Sequence, residues 1–99
     1  MRKLALSFDD VIELPHFEKS SFRIKKKIFA TIDFKNKRAM LKLSAIDQFL
    51  YCTVDPAAIY PVPGGWGKKG ATYFDLGKVK KGVFAEAMKL AYLFVKEGR

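Results

Sequence analysis

Gly65-Trp66-Gly67-Lys68-Lys69-Gly70 is the stretch of this 99-residue chain whose lettering most suggests chemistry, because it fits G-x-G-x-x-G, the fingerprint of a dinucleotide phosphate cradle. That cradle works only where a strand precedes the glycines and a helix N-terminus follows to hold the pyrophosphate. Here Pro61-Val62-Pro63 precedes, and Ala71-Thr72-Tyr73-Phe74-Asp75-Leu76 follows as a strand-like run. A kinase glycine loop does lie between strands, but a kinase needs far more chain than this. A Walker A loop would require glycine where Val62 stands and Ser or Thr where Lys69 stands. The lettering alone therefore predicts no bound cofactor.

The remaining candidates for chemistry are few. His16 and Cys52 are the only strong nitrogen and sulfur ligands, whereas structural zinc sites commonly use four. His16 beside Pro15 reads as a turn or edge residue. Cys52, within Phe49-Leu50-Tyr51-Cys52, reads as a buried structural thiol, and a single cysteine excludes an internal disulfide. Asp9, Asp10 and Glu13 form a solvated acidic turn with no neighbour evident to shift a carboxyl pKa. These residues predict neither a metal site nor an enzyme.

Charge is the stronger signal: 19 Lys and Arg against 10 Asp and Glu leave a net +9. Such a surplus favours anionic partners. Nine of the 19 cations lie between Lys19 and Lys42, where Asp33 is the only acid. They fall on two turns and on outward positions of alternating segments. Arg23, Lys25, Lys26 and Lys27 at the first turn, Lys35, Lys37 and Arg38 at the second, and Lys42 at an outward strand position could all reach phosphates. Lys68 and Lys69 make a third basic tip, beside Trp66. Trp66 could stack on a base, but a tryptophan in such a loop is expected to anchor it on the core. The partner this predicts is nucleic acid, in particular double-stranded DNA, with weak sequence preference because no helix face of Arg, Asn or Gln is evident to read bases.

The elements that must position these residues follow from periodicity. Leu4, Phe8, Val11 and Ile12 fit one helix face running to Glu13, while Phe8-Asp9-Asp10 fits equally well a turn ending a short helix at Ser7. From Ser21 the period is two, with Phe22 and Ile24 inward and Arg23 and Lys25 outward. Ile28 to Phe34 and Arg38 to Leu43 are two more strands, the latter with Ala39, Leu41 and Leu43 inward, so an antiparallel meander is expected. Ser44 should cap a short helix to about Tyr51 that buries Ile46, Phe49 and Leu50. Asp55-Pro56 should open one further helical turn. After the strand from Ala71 to Leu76, a helix from about Val79 to Glu97 presents Val83, Ala87, Leu90, Ala91 and Phe94, widened by Phe84, Met88 and Val95. Glu86, Lys89 and Lys96 lie on its outer side. A length of 99 residues predicts one domain, 49% hydrophobic residues suffice for a compact interior, and no apolar run approaches the roughly 18 residues of a membrane span. A cytoplasmic protein with no membrane partner is expected.

Pro15-His16-Phe17, Lys27-Ile28-Phe29-Ala30-Thr31, Asp55-Pro56 and above all Pro61-Val62-Pro63-Gly64-Gly65-Trp66-Gly67-Lys68-Lys69-Gly70-Ala71-Thr72 closely resemble the MmcQ/YjbR family, over nearly all of residues 1–99. The family's usual Leu-Pro-Gly turn is replaced here by Phe8-Asp9-Asp10. The resemblance implies an α+β, two-layer fold similar to the double-wing DNA-binding and secretion-chaperone-like architectures. An antiparallel sheet of about four to five strands would pack against helices, with a long C-terminal helix and a first helix ending near Ser7. It also implies a DNA-binding role. The alternative is a protein-interaction or chaperone-like adaptor using the sheet face or exposed apolar residues such as Met40 and Leu93.

Overall fold

The structure is a computed structural model and describes residues 2–16 and 19–98. Its elements run α1 (Arg2–Leu6), β1 (Ile12–His16), β2 (Lys19–Ile24), β3 (Lys27–Asp33), β4 (Arg38–Lys42), α2 (Ala45–Val54), β5 (Ile59–Pro61), α3 (Gly65–Lys68), β6 (Ala71–Asp75) and α4 (Lys81–Lys96). All strands join one antiparallel sheet in the order β1-β2-β3-β4-β6-β5. The α+β, antiparallel expectation holds, but there are six strands, not four to five. The two strands that pattern reading missed are the edges. β1 holds Pro15, which an edge strand tolerates, and β5 is too short to show alternation. His16 ends edge strand β1, and Phe17 lies outside the described residues.

Strand register explains the single-sided core. Ala30 pairs with Leu41 and Leu41 with Thr72, while Ile32, Ala39, Phe74 and Ile59 form the next row. Cross-strand partners share a face, and all these side chains are fully buried or nearly so. α4 lies over that face and packs on β2, β3 and β4 with Phe84, Ala87, Met88, Ala91, Tyr92 and Val95 buried. In the pairing of β2 with β3 the register slips: Phe22 opposes Ala30, but Arg23 opposes Ile28. Phe29 is the extra residue of this bulge, and both Phe29 and Ala30 are completely buried. Phe29 meets Tyr92 edge-on at 5.7 Å, and Tyr92 stacks on Phe8 at 4.7 Å. The Tyr92 hydroxyl donates to the Asp9 carbonyl at 2.8 Å. These contacts tie down the turn after α1, so the first helix ends early and Phe8 enters the core from a turn.

α2 departs from expectation. Ser44 caps it, its Oγ accepting from the Asp47 amide at 3.2 Å, but Ile46 and Phe49 are 73% and 70% exposed, and Leu50 and Val54 also face water. The side turned inward carries Gln48, Tyr51 and Cys52. Amphipathic ranking picks the more apolar side for burial, whereas here polar bonds choose the orientation. The Tyr51 hydroxyl bonds the Glu86 carboxylate on α4, and burial together with that carboxylate pushes its pKa up. Burial likewise raises the Cys52 thiol. Asp55 opens the single turn expected: its carbonyl accepts from the amides of Ala58 and Ile59, and the chain then leads directly into β5.

Two turns are set by unusual backbone. Lys25 and Lys26 form the two-residue β2–β3 loop with φ of 53° and 67°. Both lie in the left-handed region that such hairpins require and that Asn-Gly fills most easily. Gly70 has φ of 105°, and a Cβ there would stand 2.0 Å from the Leu43 carbonyl oxygen, while the Gly70 carbonyl accepts from the Leu43 amide at 2.9 Å. Gly65 has open space around it. Replacing Lys25-Lys26 by Asn-Gly should therefore raise stability by about 1 kcal/mol, seen as a melting midpoint higher by about 5 °C. Gly70→Ala should cost about 3 kcal/mol or more in denaturant unfolding, and Gly65→Ala should stay within about 0.5 kcal/mol. Equal effects of the two alanine variants would contradict this assignment of roles.

Candidate nucleic-acid interface

Alternation that buries Phe22, Leu41 and Phe74 sends their neighbours to the opposite face of the sheet, which carries no long helix. Register sets Arg23 opposite Ile28, Thr31 opposite Met40, Met40 opposite Tyr73, and Lys42 opposite Ala71. Half-buried Ile28, Met40 and Tyr73 thus form an apolar floor. β3 begins where β4 ends and β6 starts, because each neighbour is antiparallel. One end of this face therefore gathers the hairpin lysines, Lys42 and the loop before β6. There lies a groove of about 560 Å³ whose wall includes Arg23, Lys26, Lys27, Lys42 and Lys69, with Trp66 beside them and Lys19 joining from the start of β2, at the Asp33 end of β3. Among the described residues it has no acidic lining residue.

The loop that carries Trp66 and Lys69 is held from behind. Gln48 Nε2 donates to the Gly67 carbonyl at 2.9 Å, the Ala71 carbonyl at 3.1 Å and Thr72 Oγ1 at 3.0 Å. Two N–H groups serve three acceptors, so one is shared. A Cβ at Gly67 would stand 2.0 Å from the Val62 carbonyl oxygen, so the loop closes on itself only with glycine there. Trp66 is not the anchor that its residue type suggested: it is 72% exposed at the groove. The clasp is Gln48 with two glycines, which frees the indole. The motif also contains one turn of helix, α3, but β6 follows it at once.

Of the eleven residues singled out by sequence, Arg23, Lys26, Lys27, Lys42, Trp66 and Lys69 meet in this groove. The others are elsewhere. Lys25 turns away, its Nζ 3.4 Å from the Lys96 carbonyl at the end of α4, where a helix terminus favours a cation. Lys35 and Lys37 lie on the β3–β4 turn, at the other end of a seven-residue strand and so about 20 Å away. That turn is organised by Asp33, which accepts from the Asn36 amide at 3.1 Å and from its side-chain Nδ2 at 2.7 Å. These bonds hold its carboxyl below the usual range. Arg38 shares the groove's face but lies over the Tyr73 ring, 4.0 Å from its centroid. Lys68 is exposed on α3 outside the groove. The two basic turns thus do not form one surface.

Sequence reading passed over Lys19 and Tyr73. Both were accessible to it: continuing the period of two backward from Arg23 reaches Ser21 and Lys19, and forward from Ala71 reaches Tyr73. Arg23 is further oriented by Ser21, whose Oγ accepts from Arg23 Nε at 3.1 Å and donates to the Leu14 carbonyl at 2.9 Å. In the acidic stretch, Glu13 on β1 pairs with Arg2 at 2.9 Å. No group of three or more His, Cys, Asp or Glu among the described residues is placed to hold a metal ion. No helix among them is long and apolar enough to cross a membrane.

No protein-family model and no curated protein matches this chain. Among solved structures it is similar to the crystal structure of the Deinococcus radiodurans protein DR2400, which carries a DUF419 domain. The TM-score is 0.86 at 22% identity, over 98% of this chain and 76% of that one. The likeness is one of fold, and it agrees with the resemblance carried by the tryptophan and glycine motif. The chain has the fold of DUF419, the YjbR/MmcQ-like domain.

Proposed function

We propose that this protein binds nucleic acid, chiefly through phosphates and with weak sequence preference, on the open face of its sheet. The observation that carries the proposal is the convergence of six cationic side chains from β2, the β2–β3 hairpin, β3, β4 and the loop before β6 on one groove without a described acid. Each is a flexible or half-exposed donor suited to a phosphate oxygen, and none is arranged to read a base edge. Lys26 occupies a left-handed position of the hairpin, and its side chain lines the groove.

A second reading, a protein-interaction module, has one observation in its favour. Ile46, Phe49, Leu50 and Val54 expose a continuous apolar side of α2. It replaces the earlier candidates, since Met40 is groove floor and Leu93 is half-buried. This surface is on the helical layer, so the two readings can be separated by mutation.

Fluorescence anisotropy with a labelled oligonucleotide should show log affinity falling with log salt at a slope of about −3 to −5. Lys42→Glu with Lys69→Glu should weaken binding at least ~10-fold and flatten the slope by about two. Lys80→Glu with Lys81→Glu removes the same charge at the start of α4 and should have little effect. Equal losses in both pairs would reduce the interaction to generic polyanion attraction and overturn the assigned surface. The Asn-Gly hairpin should bind more weakly even though it melts higher.

A further inference from the structure

We infer that the open-face groove takes single-stranded nucleic acid, with an unstacked base against Trp66, in preference to the duplex that charge alone suggests. This rests on the reading of that face as a nucleic-acid site and specifies the form of the ligand. A duplex offers phosphates on its outside and keeps its bases stacked within, so a phosphate-binding surface for duplex needs only cations. This groove has more. Its floor of Ile28, Met40 and Tyr73 is apolar, and its wall includes an indole that is 72% exposed.

An exposed tryptophan beside an apolar floor and a cationic wall matches the two parts of a single-strand ligand. The backbone meets lysine and arginine, and the ring of a base meets an aromatic or apolar surface. The volume, about 560 Å³, lies in the range of about 300–1,000 Å³ typical of sites for compact ligands, which suits an unstacked base. Tyr73 is a fixed part of the floor: the Arg38 guanidinium lies over its ring, 4.0 Å from the centroid, and Tyr60 meets it edge-on at 5.8 Å, so the stacking surface is Trp66. The chemistry is common to DNA and RNA, whose unpaired bases and phosphates offer the same two surfaces.

Trp66 is the only tryptophan in the chain, so its fluorescence reports on this site directly. Titration of the full chain with twelve-residue oligo(dT) and oligo(rU) should quench that fluorescence. Both should bind at least ~10-fold more tightly than a duplex of the same length at equal salt. Trp66→Ala should lose about 10-fold or more in single-strand affinity, measured by anisotropy, while Trp66→Phe retains most of it and duplex affinity changes little. Far-ultraviolet circular dichroism and melting of the variants check that the fold is kept. Duplex binding as tight as single-strand binding, with no quenching, overturns the inference and leaves the broader nucleic-acid reading standing. Failure of every oligonucleotide to bind more tightly than to an equally basic unrelated protein overturns both.

Discussion

Packing of α4 against one face of a six-stranded sheet is the constraint from which the rest of this structure follows. Phe84, Ala87, Met88 and Ala91 meet a layer of Phe22, Ala30, Ile32, Leu41 and Phe74, and Phe84 lies edge-on to Phe74 at 5.6 Å. Burial of each large side chain here contributes roughly 1.5–3 kcal/mol, so this side of the sheet cannot be exchanged for the other. With a side-chain period of two, that choice also fixes which residues are left facing outward. Arg23, Met40, Lys42 and Tyr73 are neighbours on the open face because Phe22, Leu41 and Phe74 are neighbours beneath it.

Antiparallel order then decides which outward residues meet. Strands β3, β4 and β6 alternate in direction, so their sheet ends alternate between chain starts and chain ends. The β2–β3 hairpin, the exit from β4 and the entry to β6 share one end, and the β3–β4 turn takes the other. Charge that looks continuous between Lys19 and Lys42 in the chain is thereby divided in space. One group forms the groove, and the second surrounds a turn held by Asp33 and Asn36.

Much of this was legible in the sequence, and the failures have specific causes. The three-strand meander, the Ser44 cap, the last strand and the C-terminal helix could all be read, because periodicity was sustained through Phe22, Ile24, Ala39, Leu41 and Leu43 and along α4. Edge strands β1 and β5 were not legible, since Pro15 and a length of three residues obscure the signal. The orientation of α2 was misread because hydrophobicity favoured Ile46, Phe49 and Leu50. Tertiary bonds from Gln48 and Tyr51 favoured the other side, and no local pattern encodes an acceptor supplied by Gly67 or by Glu86. Six of eleven proposed contact residues converge, which alternation could explain; the division between the two turns required strand order.

The Gln48 amide also explains why the tryptophan and glycine motif can combine a rigid loop with an exposed indole. A loop anchored by its own tryptophan would have to bury that ring, leaving nothing to present. Here the backbone of Gly67 closes on Val62, Gly70 closes on Leu43, and a side chain from α2 satisfies the carbonyls that this tight path turns inward. An unpaired buried carbonyl would cost roughly 1–3 kcal/mol, so the glutamine holds the loop through groups that the sequence of the loop itself does not supply. The motif's close backbone approaches and its free aromatic ring are thus two consequences of one arrangement: glycine is needed where the chain touches itself, and Trp66 stands where it does not.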